Sequence, residues 1–330
     1  MVKLGIIGLG HMGAYHASVC ATIPTIELVA IADPNEKNWA KVRSGKVEKT
    51  KSFRDWIDNV DGVIIAVPTS LHYEVAKTCL ERNKHLLLEK PLTKNLDQAK
   101  DLFAIASSRN LTLHAGHVER FNGAVQELKK LIHKPYLIES HRIGPFAARA
   151  VNETVVLDLM IHDLDIISNL VNAPVAKIHV IENKIKSNLS DIAAVQIQFE
   201  NQTLANIISS RISHIKRRTM CIHQEGAFIE LNFTTQDISI HRHTTASVNI
   251  GHNQMKYKQE ATVEQLFVYK DNPLKLEIEH FVQSIKTGKN RTNATKDLDA
   301  LRLTLEIEKA LGHTHDSNHR GNWKPASTSV

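Results

Sequence analysis

Val2-Lys3-Leu4-Gly5-Ile6-Ile7-Gly8-Leu9-Gly10-His11-Met12-Gly13-Ala14 is the stretch that decides the fold. An apolar, strand-sized run ends in Gly-x-Gly-x-x-Gly and passes directly into a helical pattern over 13–22. Gly8 allows the tight turn, Gly10 lets the backbone approach a pyrophosphate, and Gly13 lets the helix pack close to the strand. The helix N-terminus then faces the phosphates. Alone, such a motif also closes ordinary structural turns. Here the next strand, 26–32, ends at Asp33, about twenty positions past Gly13, where an acid holds a ribose 2′-hydroxyl. A carboxylate there repels a 2′-phosphate, and Pro34-Asn35 offers no arginine to receive one, which favours NAD over NADP. Gly8, Gly10, His11, Met12, Gly13 and Asp33 are therefore the expected cofactor-binding residues.

Working outward, further strands are expected at 63–67, 85–88 and 111–115, with helices at 71–83 and 95–109. Continuous apolar strands separated by helices call for a parallel sheet covered on both faces. After residue 117 the rhythm changes. Helices at 123–132 and 155–170 flank a strand at 136–142, and strands follow at 176–182, 192–199, 203–212, 219–224, 228–233 and 238–242. In Val195-Gln196-Ile197-Gln198-Phe199 apolar and polar residues alternate, the pattern of a sheet with one buried face. Helices at 274–286 and 296–311 close the chain, the second expected to reach back across the junction. The fold class is thus α/β: a doubly wound parallel sheet followed by an α+β domain on a mostly antiparallel, open-faced sheet. The expected division is 1–117 for NAD, 118–312 for substrate and self-association, and 313–330 as a loose tail.

Composition narrows the function. The 330 residues are 42% hydrophobic and 23% charged, which excludes a disordered or collagen-like chain. No apolar run approaches the roughly 20 residues of a membrane span. The first strand begins at the N-terminus, so no signal peptide is expected. Cys20, Cys79 and Cys221 are odd in number and far apart, which suits packing in a reducing compartment and a cytoplasmic location. The net charge of +6 suggests nucleic acid, an anionic membrane surface or an anionic small molecule. No basic helix or aromatic platform supports nucleic acid, and the densest run, Lys216-Arg217-Arg218, reads as a solvated strand entry. An anionic small molecule remains. His313, His315 and His319 share a polar tail, and His241 and His243 have no companions at ligand spacing, so no metal is expected.

The chemistry is expected elsewhere. Leu86-Leu87-Leu88-Glu89-Lys90-Pro91 places a lysine just past the carboxyl end of a buried strand, the edge where open α/β sheets bind ligands. Asp158 and His162 lie four residues apart and project from one helix face, with Asp165 near the same stripe and Asp163 roughly opposite. Among leucines and isoleucines such a pair is costly unless paired or used. The spacing alone equally fits a surface ion pair.

Glu89-Lys90-Pro91 together with Asp158-x-x-x-His162 resembles the Gfo/Idh/MocA oxidoreductase family, and the resemblance covers nearly the whole chain. Ala66-Val67-Pro68-Thr69-Ser70-Leu71-His72 is similar to the family's loop near the nicotinamide ribose. The resemblance implies that Lys90, Asp158 and His162 surround a substrate carbinol. It also implies that Val67, Pro68, Thr69, His72, Glu89 and Lys90 join the cofactor site. Gly116-His117-Val118-Glu119-Arg120-Phe121-Asn122 and Arg142-Ile143-Gly144-Pro145-Phe146 resemble a narrower branch, which oxidises the 3-hydroxyl of UDP-N-acetylglucosamine to a ketone for later amination. That branch continues Asn-Pro-Ala where this chain has Asn122-Gly123-Ala124. On this reading Lys90, Arg120, Asn122, Arg142, Asp158 and His162 bind substrate. Arg120, Arg142 and Arg149 are candidates for the UDP phosphates, because guanidinium forks match phosphate oxygens.

Neutral His162 is then the expected base, with Asp158 orienting it and Lys90 stabilising alkoxide character; Lys90 as base is the alternative. No metal is required. The open-faced sheet leads to the expectation of a homodimer or homotetramer. The competing readings are a free sugar or polyol dehydrogenase of the inositol or glucose type, and a non-catalytic NAD-sensing protein.

Overall fold

The opening apolar run forms β1 (Val2–Ile7), buried at nearly every position, and α1 (His11–Cys20) begins three residues after the first glycine. The computed structural model describes residues 1–42, 46–147, 153–249 and 255–313. The first layer continues with β2 (Ile26–Ala32), β3 (Glu48–Thr50), β4 (Gly62–Ile65), α2 (Thr69–Glu81), β5 (His85–Glu89), α3 (Leu96–Ser108) and β6 (Leu113–Gly116). The strands lie in the order β3-β2-β1-β4-β5-β6, all parallel, so the doubly wound sheet is as expected. The short edge strand β3 has no apolar run to announce it.

The second layer contains α4 (Gly123–Leu131), β7 (Leu137–Ile143), a π-helical segment (Val156–Met160), α5 (Ile161–Val171), β8 (Val175–Asn183), β9 (Ile192–Phe199) and β10 (Leu204–Ser210). It continues through β11 (Arg217–Gln224), β12 (Ala227–Asn232), β13 (Asp237–Asn249) and β14 (Met255–Gln265). The eight strands lie in the order β14-β13-β12-β11-β7-β10-β9-β8, and only β7 and β10 pair in parallel. One face packs with residues of α4, α5 and the closing helix α7 (Ala294–Ala310). The other face exposes Leu204, Ile208 and Val263.

The division at 117/118 needs one correction. The helix α6 (Pro273–Thr287) buries Leu274, Ile278, Phe281 and Val282 with Leu4, Ile6, Ile31 and Ile64 of the parallel sheet. Four such side chains contribute up to about 6–12 kcal/mol, so segment 273–287 completes the first domain although it follows the second in sequence. In α7, Leu301 belongs to the core of the first layer and Leu303 and Ile307 to that of the second, so this helix bridges the two.

Candidate active site

At the nucleotide end, Gly8 has φ +89, and a Cβ on it would lie 2.6 Å from the Ala66 carbonyl oxygen. A Cβ on Gly13 would lie 1.8 Å from the Gly8 carbonyl oxygen, whereas a Cβ on Gly10 would meet nothing within 4 Å. Two glycines are thus required by the protein's own backbone, and the third leaves a cradle open. Gly10 is the N-cap of α1 without a side-chain cap, and His11 and Met12 form the first turn with no acid in it. Helix N–H groups there suit an anion. Asp33 is buried. Its Oδ2 accepts from the Leu9 N–H at 2.7 Å, and its Oδ1 accepts from the Asn35 N–H at 2.8 Å. It therefore fastens the glycine-rich loop. Lys41, which the sequence did not single out, donates to the Leu9 carbonyl at 2.9 Å. These residues fit a dinucleotide.

At the other end of the cleft, Lys90 follows β5, and its Nζ donates to the Asp158 carbonyl at 2.7 Å and lies 3.6 Å from Asp158 Oδ1. These contacts fall at a π-turn. The Ile161 N–H reaches back five residues to the Val156 carbonyl, so the Leu157 carbonyl loses the donor a regular helix would give it. Lys90 Nζ lies 3.4 Å from that carbonyl as well. The uniform helix expected over 155–170 is therefore interrupted at the residues that carry the chemistry.

The expected relay from Asp158 to His162 is corrected too: Asp158 pairs with Lys90, and no hydrogen bond joins it to His162 among the described residues. His162 is half-buried, with Nδ1 shut from solvent and unpartnered. Burial first, then the charges of Lys90 and Arg142, hold its pKa well below the usual 6.5. Lys90, Asp158 and His162 thus form a cation beside a neutral imidazole.

Glu89 is buried and accepts from His16 of α1, with Nε2 2.7 Å from Oε1. Burial opposes its ionisation, but His16 and Lys90 outweigh that and hold the carboxyl below the ordinary range. It ties α1 to the Lys90 loop. His72 is corrected from cofactor contact to loop fastener. It is buried, with its ring nitrogens 2.8 Å from the Pro91 carbonyl and 2.9 Å from the Val67 carbonyl. Burial lowers its pKa. Thr69 donates to Glu153 across the junction at 2.8 Å, while Val67 is half-buried and Pro68 exposed beside it.

Three substrate-binding expectations are corrected. Arg142 is 2% exposed, with Nε and Nη2 on Asp163 at 2.7 and 3.1 Å and Nη1 on Glu119 at 2.9 Å. Arg120 is held by Asp165 and Asp297. A guanidinium saturated by carboxylates inside the protein has no fork left for a phosphate. Asn122 is buried as the N-cap of α4, accepting from the Ala124 N–H and donating to the Phe233 carbonyl. A Cβ at Gly123 would lie 2.1 Å from the Tyr269 carbonyl oxygen, which is why no proline follows Asn122 here. Arg149, His315 and His319 lie outside the described residues; His313 Nε2 is 2.8 Å from Glu182. Cys20 and Cys79 are buried, with burial pushing each thiol up to about 12.

Two cavities flank Lys90's perch. The larger, about 660 Å³, is lined by Pro68, Thr69, Pro91, Glu153, Leu157 and Glu308 and includes neither Lys90 nor His162. The smaller, about 130 Å³, includes Asp158, Arg142, Gly144, Arg211, Lys216 and Arg218. The residues the sequence reading missed at this end are Lys216 and Arg218, whose basic run was visible but not its position.

A glycine-loop Rossmann edge facing a lysine, an aspartate and a histidine defines a dinucleotide-dependent oxidoreductase. The profile described as oxidoreductase family, NAD-binding Rossmann fold, matches residues 2–117, and the GFO/IDH/MocA C-terminal domain matches 123–230. The chain is 30% identical to UDP-N-acetylglucosamine 3-dehydrogenase of Acidithiobacillus ferrooxidans over 75% of this chain and 79% of that one. It is 24% identical to scyllo-inositol 2-dehydrogenase (NAD(+)) of Bacillus subtilis over 95% and 93%. Among solved structures, the A. ferrooxidans enzyme superposes with a TM-score of 0.83 at 27% identity, covering 94% and 97%. Scyllo-inositol dehydrogenase of Lactobacillus casei with bound NAD(H) and scyllo-inositol gives 0.74 at 22%, covering 94% and 96%, a likeness of fold. The chain belongs to the Gfo/Idh/MocA oxidoreductase family. It is an NAD-dependent dehydrogenase.

Proposed function

We propose that this dehydrogenase oxidises a secondary alcohol of a sugar, the 3-hydroxyl of UDP-N-acetylglucosamine, to give a 3-keto nucleotide sugar for later amination. The observation that carries the alcohol chemistry is Lys90 Nζ, anchored on Asp158 beside a His162 that stays neutral. The substrate reading is supported by the similarity to the A. ferrooxidans enzyme.

His162 takes the hydroxyl proton as the carbinol C–H bond breaks. The Lys90 ammonium donates to the same oxygen and stabilises its alkoxide character. Asp158 holds Lys90 in place, and burial, aided by Lys90's charge, keeps His162 unprotonated. Bound NAD supplies the hydride acceptor. Gly10 and the first turn of α1 receive its pyrophosphate, and Asp33 its ribose. Self-association through the exposed face of the eight-stranded sheet is part of this reading, as is a cytoplasmic location.

The test is NADH absorbance on adding UDP-N-acetylglucosamine to enzyme and NAD, followed in a single turnover because NADH can remain bound. His162→Asn and Lys90→Met are each expected to lower turnover by roughly 10²–10⁴-fold while NAD affinity is retained. Because His162 must be neutral, kcat/KM is expected to hold through pH 6.5 and fall only well below it. Single-turnover NADH from free inositol but not from the nucleotide sugar would replace this reading with a polyol dehydrogenase. Near-wild-type rates in either variant would remove the catalytic assignment.

A further inference from the structure

Most cations near the active centre are spoken for. Arg142 and Arg120 sit on carboxylates, and Arg211 Nε donates to Asp191 at 2.8 Å. Lys90 is held by Asp158. Two are different. Arg218, in the second position of β11, is half-buried, and Lys216 stands exposed just before the strand. Neither side chain makes a hydrogen bond or ion pair among the described residues. They are two apart along an extended chain, so they share a face. Both line the 130 Å³ cavity together with Asp158.

That cavity has room for about four waters, and hence for a phosphate group. Its wall includes Gly144, where a Cβ would meet nothing within 4 Å, so the backbone there is open to an approaching group. A half-buried guanidinium with no carboxylate in direct contact is unfavourable until an anion arrives. Burial and the neighbouring Arg142 charge act on Arg218 in that sense, opposed in part by Glu119, Asp163 and Asp158.

We propose that Lys216 and Arg218 form an anion-receiving subsite beside Asp158 that takes the phosphate or pyrophosphate borne by the substrate sugar. The run read from sequence as a solvated strand entry thereby becomes the specificity determinant, in place of Arg120 and Arg142. The chemical class is a phosphorylated sugar, whether a nucleoside diphosphate sugar or a simple sugar phosphate. The inference rests on reading the site as a sugar dehydrogenase. It does not depend on which sugar is oxidised.

The experiment is titration calorimetry of NAD-loaded enzyme, in which the cofactor's own pyrophosphate site is filled, with UDP and with inorganic pyrophosphate as probes. Lys216→Gln and Arg218→Gln are each expected to weaken both probes by at least about tenfold and to flatten the salt dependence of binding. For UDP-N-acetylglucosamine the effect should fall mainly on KM rather than kcat, and Arg218→Lys should recover part of it. Arg217→Gln removes the same charge from the adjacent position, which does not line the cavity, and controls for net charge. Unchanged probe affinity and KM in both Lys216→Gln and Arg218→Gln would overturn the subsite. So would wild-type enzyme that oxidises free inositol and binds neither probe. If UDP-N-acetylglucosamine is not oxidised but a sugar phosphate such as glucose 6-phosphate is, with the same dependence on Arg218, the subsite stands and the UDP-sugar reading falls.

Discussion

Replacing Arg142 by alanine separates a structural arginine from a substrate-binding one. In the folded protein this guanidinium makes three charge-assisted hydrogen bonds, two to Asp163 and one to Glu119, and stacks over Phe233 with 4.8 Å from its central carbon to the ring centroid. At about 1.5–3 kcal/mol each the bonds would sum to roughly 5–9 kcal/mol, but such terms are not additive. The better guide is the loss from breaking a buried pair, about 3–5 kcal/mol, since Asp163 would be left fully buried without its partner. For a chain of this size that corresponds to a fall in melting temperature of about 4–7 °C. Calorimetry on the apo protein measures it directly, and denaturant titration gives an independent value. Arg142→Ala combined with Asp163→Asn and Glu119→Gln should recover part of the loss, because the stranded charges are gone. A variant as stable as wild type, with a raised KM for UDP-N-acetylglucosamine, would refute the reasoning and return Arg142 to the substrate.

The glycines of the cofactor loop should separate in the same manner. Gly13→Ala forces a Cβ to within 1.8 Å of the Gly8 carbonyl oxygen and should lower both stability and NAD affinity. Gly10→Ala meets only open space and should leave the apo melting temperature in place while weakening NAD, as read by NAD titration; equal NAD affinity in both variants and wild type would argue against the cradle. Burial, opposed by a hydrogen bond from Thr154, raises the Glu308 carboxyl from 4.5 to about 6. The folded state therefore holds this proton more tightly than the unfolded chain. That stabilisation is complete below pH 4.5 and is lost as pH rises through about 6, a change of about 2 kcal/mol. Glu308→Gln should be more stable than wild type at pH 8 and level with it at pH 4, checked by melting temperature against pH.

Much of the cofactor half could be read along the chain because its determinants are local. The order of β1, Gly8, Gly10 and α1 is set within a dozen residues, and Asp33 lies at the end of the next strand. Lys90 was readable for the same reason, since it directly follows a buried strand. The β14 strand escaped because its polar and charged residues carry no clear apolar alternation. The π-turn at Val156–Met160 escaped because the 3.6-residue period is blind to one irregular hydrogen bond. Local pattern also placed α6 with its sequence neighbours, although its apolar face is buried with the parallel sheet.

The kind of protein follows from local pattern: short-range periodicity sets the two sheets, and a glycine loop, an acid and a strand-end lysine set dinucleotide chemistry. What each charged side chain does is settled by folding. Arg120 meets Asp165 and Asp297 from 45 and 177 positions away, and Arg142 meets Asp163 from 21. Arg218 meets none. A charge's role depends on which counter-charges share its burial, and those arrive from segments distant in the chain.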